Sequence, residues 1–431
     1  MSEMKDTGIQ WLGEIPSSWE LKKIKYVLRE RIEKNNPIRT SFILSLTAKQ
    51  GVIPYSEKEG GGNKPKEDVS AYRLAYPGDI VMNSMNILSG SVGLSNYFGC
   101  VSPVYYMLRP KETEDDVRFY NYIFQTTLFQ RSLFGLGNGI LIKESGNGKL
   151  NTIRMRIPMD KFGGLYIPIA PANIQQQIAD FLYEKCKEID TLLANIQCEV
   201  DVLESYKCSV ISEAVTKGLD FNSNTKESGV FYVGPINESW SMSKIGYICT
   251  KLSRTFEAED TALVCSNKGK VLVRDENAVG KMVSEDNAMQ GIRKGDIAIH
   301  GMDTWHGAIA LSDFDGKITR VVHVCDSTED KRFVVYYMQY LAYQGVYKLI
   351  SNGVRGNTSD FRSWDKVKDI YIPLPKSKDE QHKICDYLDK VCTEVENAIE
   401  KKKEQLDILE EYKKTFIYEY VTGKKEVPIN G

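Results

Sequence analysis

Two stretches decide the fold: "GEIPSSWELKKIKY" (Gly13–Tyr26) and "GPINESWSMSKIGY" (Gly234–Tyr247). Aligned without a gap, they pair Gly13 with Gly234, Ile15 with Ile236, Trp19 with Trp240, Lys23 with Lys244 and Tyr26 with Tyr247. The chain has only 5 tryptophans in 431 residues, so two meeting inside one pattern mark an internal repeat. A second echo sets "YPGDIVMNSMNILSGSVGLS" (Tyr76–Ser95) against "RKGDIAIHGMDTWHGAIALS" (Arg293–Ser312). A third sets "LYIPIAPANIQQQIADFL" (Leu165–Leu182) against "IYIPLPKSKDEQHKICDYL" (Ile370–Leu388), with one residue inserted. From there the halves run in register to Thr216 and Thr422. The order is A-B-A′-B′. The frame matches while the interiors diverge, which fits one task performed twice on two different targets.

The length implies two or three domains, and 42% apolar with 26% charged residues is ordinary globular composition. No apolar run reaches the ~18 residues of a membrane span. "MSEMKDTGIQ" lacks the basic-then-apolar order of a signal peptide. Nine scattered cysteines without a C-x-x-C pair favour a reduced, cytoplasmic protein over a disulfide framework. The net charge of −2 hides an asymmetry: residues 1–165 carry 22 Lys/Arg against 17 Asp/Glu, residues 166–225 carry 4 against 9. This is compatible with nucleic acid on one surface and protein on another, without specifying either.

Segments B and B′ are predicted to be long helices. Leu182, Cys186, Ile189, Leu193, Ile196, Val200, Leu203, Lys207, Val210 and Ala214 keep a strict 4-3 spacing. Their counterparts are Leu388, Cys392, Val395, Ile399, Lys402, Leu406, Leu409, Lys413, Phe416 and Tyr420. This is a coiled-coil seam, interrupted only by lysines whose stems can lie along apolar surface. The Ile-Pro element before each helix is expected to be a hinge, and Gly218 and Gly423 to end the helices. Segments A and A′ are predicted to be mixed and strand-rich, with short runs such as "SFILSLTA", "GDIVMNS" and "RVVHVCD". "DDVRFYNYIFQTTLFQRSLF" (Asp115–Phe134) and "DKRFVVYYMQYLAYQGVYKLI" (Asp330–Ile350) each read as one amphipathic helix. The expected fold class is α+β: two strand-rich domains in tandem, separated by two long antiparallel coiled-coil helices, with pseudo-twofold symmetry. The domains are placed at 1–165 and 219–370, the helices at 166–218 and 371–425, and a tail at 426–431.

Each aromatic helix leads into a Gly/Asn/Arg loop, the strongest candidates for a binding site. The first holds Asn138, Lys143, Asn147, Lys149, Asn151, Arg154 and Arg156; the second holds Asn352, Arg355, Asn357 and Arg362. Arg and Asn can pair bidentately with guanine and adenine edges, and Lys suits phosphate. Polar glycine-rich loops also occur on any surface. "HGMDTWH" (His300–His306) carries two of the four histidines. No set of further ligands at metal spacing accompanies it, so His300, Asp303, Trp305 and His306 are candidates for base or phosphate contact, with a structural turn as the alternative. Trp19 and Trp240 read as buried anchors. "GGGNKPK" (Gly60–Lys66) lacks the P-loop Gly-Lys-Ser/Thr and reads as a flexible loop. "FGLGNG" (Phe134–Gly139) follows a helix rather than a strand and reads as a turn.

With these elements together, the chain resembles the specificity (S) subunit of type I restriction-modification systems. The resemblance rests on Gly-x-Ile-Pro-x-x-Trp and its copy, the two Gly-Asp-Ile elements, Ile-Pro-Ile/Leu before each helix, "NIQQQIADFL" with its copy "DEQHKICDYL", and the tandem order. It implies two target-recognition domains, each reading half of a split, asymmetric DNA target, with the helices as ruler and as docking surface for two methyltransferase (M) subunits. It implies no catalytic residues and no metal in this chain. S-adenosylmethionine, and ATP with Mg for the restriction (R) subunits, would sit on partners in phage defence. Two other readings are open on the residues alone: a self-contained S-adenosylmethionine-dependent DNA methyltransferase, and a structural coiled-coil adaptor. The first lacks an Asn/Asp-Pro-Pro-Tyr tetrad, and the second leaves the divergent interiors without a purpose.

Overall fold

The computed structural model describes every residue except 1–2, 48–49, 59–63, 86–89, 138–141, 145–149, 153–155, 221, 275–287, 352–360 and 429–431, and no side chain at 142–144 or 150–152. Glycine-rich Gly60–Asn63 therefore lies outside the described residues. Two compact units form: residues 1–196 with 404–431, and residues 197–403. Each contains one strand-rich globule and a stretch of both long helices. Among the described residues, no helix is long and apolar enough to cross a membrane.

Both globules are built on the same antiparallel four-stranded sheet. In the first its order is Leu28–Glu30, Tyr105–Pro110, Ile80–Asn83, Val92–Leu94; in the second it is Cys249–Lys251, Val322–Ser327, Ile297–His300, Ile309–Leu311. The second strand of each sheet pairs in matching register, Tyr106 opposite Met82 and His323 opposite Ile299. Ile80, Val81, Met82 and their counterparts Ile297, Ala298, Ile299 are all buried, as expected of central strands covered on both faces.

The Gly-Asp-Ile element is what starts the central strand. Gly78 and Gly295 adopt φ of 81° and 83°, a turn open to glycine at little cost. The following Asp is buried and ties the turn down. Asp79 accepts from Tyr76 N and from Arg31 Nε and Nη2 at 3.0, 2.8 and 3.1 Å. Asp296 accepts from Arg293 N and from Arg254 Nε and Nη2 at 2.9, 2.9 and 3.1 Å. The Arg gives the buried carboxylate a two-point, charge-assisted partner, so its oxygens are not left unpaired in the interior.

The expected single aromatic helices are each broken in two. The first runs Val117–Gln125 and Thr127–Ser132; the second runs Lys331–Tyr343 and Val346–Ile350. Thr126 is extended, with its N–H and hydroxyl both donating to Ile123 O. Gly345 has φ of 67°. A local polar alternative in one copy and a left-handed glycine in the other thus override amphipathic periodicity.

The Ile-Pro elements are strands, not hinges. Tyr166–Ile169 pairs with Glu20–Lys23, and Tyr371–Leu374 with Ser241–Lys244. The residue before proline prefers the extended region, and a two-stranded ribbon tolerates the missing donor. These strands close each globule, and the long helices follow them, spanning Ala172–Lys217 and Lys378–Val421. The first would measure about 69 Å at 1.5 Å per residue.

Trp19 and Trp240 are buried and pack edge-on to Phe119 and Phe333, both at 6.0 Å. Each also rests on the glycine that ends a long helix. A Cβ on Gly423 would sit 2.5 Å from Pro16 and 3.2 Å from Trp19, and one on Gly218 would sit 3.3 Å from Trp240. Asn237 Nδ2 donates to Lys217 O at 2.8 Å, and Lys424 Nζ to Glu14 O at 2.9 Å. The N-terminal motif is therefore the socket for a helix C-terminus; in the second copy Asn237 answers an orphan carbonyl there, and in the first the motif's Glu14 carbonyl receives a lysine from just past the helix end.

A third tie joins each helix start to the aromatic helix. Gln175 Oε1 accepts from Asp116 N at 3.1 Å while Nε2 donates to Ala170 O and Asp115 at 2.8 and 3.0 Å. Gln381 Oε1 accepts from Asp330 N at 2.9 Å while Nε2 donates to Glu329 at 2.8 Å. Arg118 spans Asp116 and Asp180, and Arg332 spans Asp330, Asp386 and Asp389.

Along the seam, Leu182, Ile189, Val200, Leu388, Val395 and Ile399 are buried, and Leu193, Ile196, Leu203, Leu406 and Leu409 are half-buried. In the second unit Leu203 packs with Val200, Val395 and Ile399. The seam lysines are ion-paired across the helices: Lys207 to Glu396 and Lys402 to Glu199 in the second unit, Lys413 to Asp190 in the first, each at 2.5 Å. These pairs fix an antiparallel register more than they stabilise it, being partly exposed.

Candidate nucleic-acid interface

In each globule the variable loop leaves the aromatic helices and returns to the central sheet at one equivalent point. Ile157 N donates to Ser84 O at 3.0 Å, and Phe361 N to Gly301 O at 3.0 Å. Ser84 and Gly301 each follow the last residue of the Gly-Asp-Ile strand. The returning carbonyl is held from the neighbouring strand. Tyr106 Oη donates to Ile157 O at 3.0 Å; His323 Nε2 donates to Phe361 O at 2.7 Å. All four residues are buried. In the second copy the approach is so close that a Cβ on Gly301 would lie 2.9 Å from Phe361 O and 3.0 Å from Val321 O.

This junction brings together two stretches that the sequence had offered separately. The His300–His306 turn lies beside Phe361–Arg362 through Gly301. Arg362 and His306 are exposed there. His300 is half-buried and its Nδ1 accepts from Asp303 N and Met302 N at 3.0 and 3.3 Å. An acceptor nitrogen carries no proton, so the ring is neutral. Burial pushes its pKa below the ordinary value, against the opposing pull of Asp303. His300 thus shapes the turn, and His306 presents the free face. Trp305 packs partly into the globule core with Lys348 Nζ 5.8 Å from its ring. Its Nε1 is buried without a partner among the described residues.

In the first copy Arg156 is exposed next to Ile157. It lines an open cleft of about 460 Å³ with Glu30, Ile32, Arg73, Tyr106 and Met159. Arg73 is held by Glu30 at 2.6 Å, and Asp160 also lines the cleft. Lys143 and Asn151 fall on paired strands Ile142–Glu144 and Leu150–Thr152, with their side chains outside the described set. Asn138, Asn147, Lys149, Arg154, Asn352, Arg355 and Asn357 lie outside the described residues.

Sequence reasoning missed Tyr106 and His323, because nothing about a tyrosine or histidine inside a short strand marks it as a loop anchor. The available signal was positional. "VYYMLR" and "VVHVCD" occupy the same place in the repeat, and a polar side chain stands at the same inward step in each.

No family model matches the chain. A Methanocaldococcus jannaschii protein provisionally described as the type I restriction enzyme MjaX specificity subunit is 22% identical over 440 residues, covering 96% of each chain. The MjaVIII specificity subunit of a type I restriction enzyme from the same organism is 24% identical over 288 residues, covering 62% of this chain and 63% of that one. Among solved structures, a chain described under complex assembly and conformational transition of the type I R-M system superposes with a TM-score of 0.65 at 12% identity. That match covers 95% of this chain and 99% of the other, so the fold is shared from end to end. Over nearly its whole length, the chain resembles the specificity subunits of type I restriction enzymes.

Proposed function

We propose that this chain is the DNA-specificity subunit of a type I restriction-modification complex. One observation carries the reading: the same frame, with the same Asp–Arg pair, Gln tie and Trp socket, returns two loops of unlike sequence to the same point on the same sheet. Two copies of one frame suit two half-sites of a duplex target, and unlike loops suit unlike half-sites. The target is therefore bipartite and asymmetric. Frame surfaces present twice suit two copies of one partner, the methyltransferase subunit. The chain itself supplies recognition and no chemistry. S-adenosylmethionine belongs to the methyltransferase subunits, and ATP with Mg to the restriction subunits.

The test is the methylome of a host expressing this chain with its methyltransferase partner. One interrupted, non-palindromic motif is expected, and it disappears when this chain is deleted. An uninterrupted motif, or methylation that persists without the chain, overturns the proposal.

A further inference from the structure

We infer that His323 and Tyr106 are positioning residues for target recognition, each fixing the point at which one variable loop rejoins the sheet and each governing one half-site only. The inference rests on the proposed function and assigns to it two residues whose side chains are buried. The argument begins with their equivalence. Both stand on the second strand of the four-stranded sheet, opposite Met82 and Ile299, which occupy matching positions of the central strand. Their side chains are chemically unlike, a phenol and an imidazole, yet both donate to the carbonyl of the residue that closes the loop. What the two copies share at this point is a donor at a fixed place, not a residue type.

Two bonds on one peptide segment define its position more tightly than either alone. At Phe361 the N–H is committed to Gly301 O and the carbonyl to His323. The rings around it leave little freedom. The Trp364 ring lies tilted against His323 with centroids 5.6 Å apart, and Tyr347 meets Phe361 edge-on at 5.2 Å. At Ile157 the N–H is committed to Ser84 O and the carbonyl to Tyr106. Arg362 and Arg156, each exposed and one residue from its anchored partner, inherit that position. A contact to a base edge depends on placement within a few tenths of an ångström, so a loose junction degrades discrimination before it degrades folding.

The protonation state of His323 is compatible with this role. Nε2 must carry the proton to reach a carbonyl, which leaves Nδ1 as a lone-pair nitrogen. Nδ1 is buried with no partner among the described residues. A second proton there would be unsolvated, and burial accordingly holds the pKa below the ordinary histidine value.

The experiment uses the assembled complex and reads each half-site separately. His323→Phe keeps a ring and removes the donor; His323→Gln restores an N–H donor; Tyr106→Phe deletes a single hydroxyl. The expected result is a loss of discrimination by roughly tenfold at one half-site for His323→Phe, the scale of one buried carbonyl left unpaired. His323→Gln should recover most of it. Tyr106→Phe should relax the opposite half-site and leave the first unchanged. Equal fidelity at both half-sites in His323→Phe and in Tyr106→Phe overturns the inference, as does parallel loss at both half-sites. A wild-type complex without a bipartite motif overturns the function on which the inference rests. The Tyr106 variant, which changes no ring volume, keeps the test decisive if His323→Phe fails to fold.

Discussion

Replacing Gln175 by leucine should destabilise the first unit more than the equivalent Gln381→Leu destabilises the second. Both glutamines are buried at the first turn of a long helix, and leucine preserves most of their volume, so the effect is polar. Gln175 serves two backbone groups that have no other hydrogen bond among the described residues: the Asp116 N–H and the Ala170 carbonyl. Leaving a buried polar group unmatched costs ~1–3 kcal/mol, so two of them put Gln175→Leu at roughly 2–6 kcal/mol. Gln381 serves one such group, the Asp330 N–H. Its other partner is the half-buried carboxylate of Glu329, which can turn to water. Gln381→Leu should therefore cost about 1–3 kcal/mol. Urea denaturation followed by tryptophan fluorescence gives the overall loss. Peptide-resolved hydrogen exchange locates it, because Val117–Gln125 should lose protection in the first variant and Lys331–Tyr343 in the second. An unchanged midpoint in Gln175→Leu, or a larger loss from Gln381→Leu, would refute the reasoning.

Leu203→Ala should cost about 2 kcal/mol, the low end for a core leucine because the site is only half-buried; thermal unfolding that does not shift would remove the packing against Val395 and Ile399. Asp330 is raised by burial, but the hydrogen bonds from His382 and Arg332 N and the charge of Arg332 outweigh it and hold the carboxyl below its ordinary range. A depressed folded-state pKa stabilises above the unfolded value of about 4 and is lost as pH falls through the folded one. Asp330→Asn keeps the helix cap, so it should lower stability at pH 7 and flatten the acid limb of a stability–pH profile; an acid limb identical to wild type would exclude this group. Seven-residue insertions after Val200 and Leu406 keep the seam phase and add about 10.5 Å of helix. If the helices set the spacing, the interval between half-sites should grow by about three base pairs at ~3.4 Å each, with half-site sequences unchanged in the methylome.

Much of the architecture was legible because it is written in periodicity and repetition. A strict 4-3 spacing from Leu182 to Ala214 can be satisfied by a helix and by little else, and glycine at 218 and 423 has few reasons to follow such a run except to stop it. The Trp19/Trp240 echo announced two copies of one frame. Those signals are local in sequence, so they need no knowledge of what the chain packs against. The aromatic helices show where locality fails: their periodicity was sound, yet Thr126 and Gly345 broke them through backbone geometry that amphipathic patterning does not encode. The Ile-Pro strands were misread for a related reason, since proline forbids helix but does not say which partner strand will accept it.

The sequence determined by itself that this protein is a tandem repeat with divergent interiors and two long seam-bearing helices. Only the tertiary structure decided what each shared residue is for. Asp79 and Asp296 keep partners in the interior because Arg31 and Arg254 reach them from just past the end of another strand. Trp19 is the socket for Gly423, at the other end of the chain, while Trp240 takes the nearby Gly218. Tyr106 and His323 became counterparts only once the sheets placed a carbonyl 3.0 and 2.7 Å from them. A hydrogen bond has a length and a direction but no sequence distance, so the residues that hold the candidate interface together could be found only after the chain had folded.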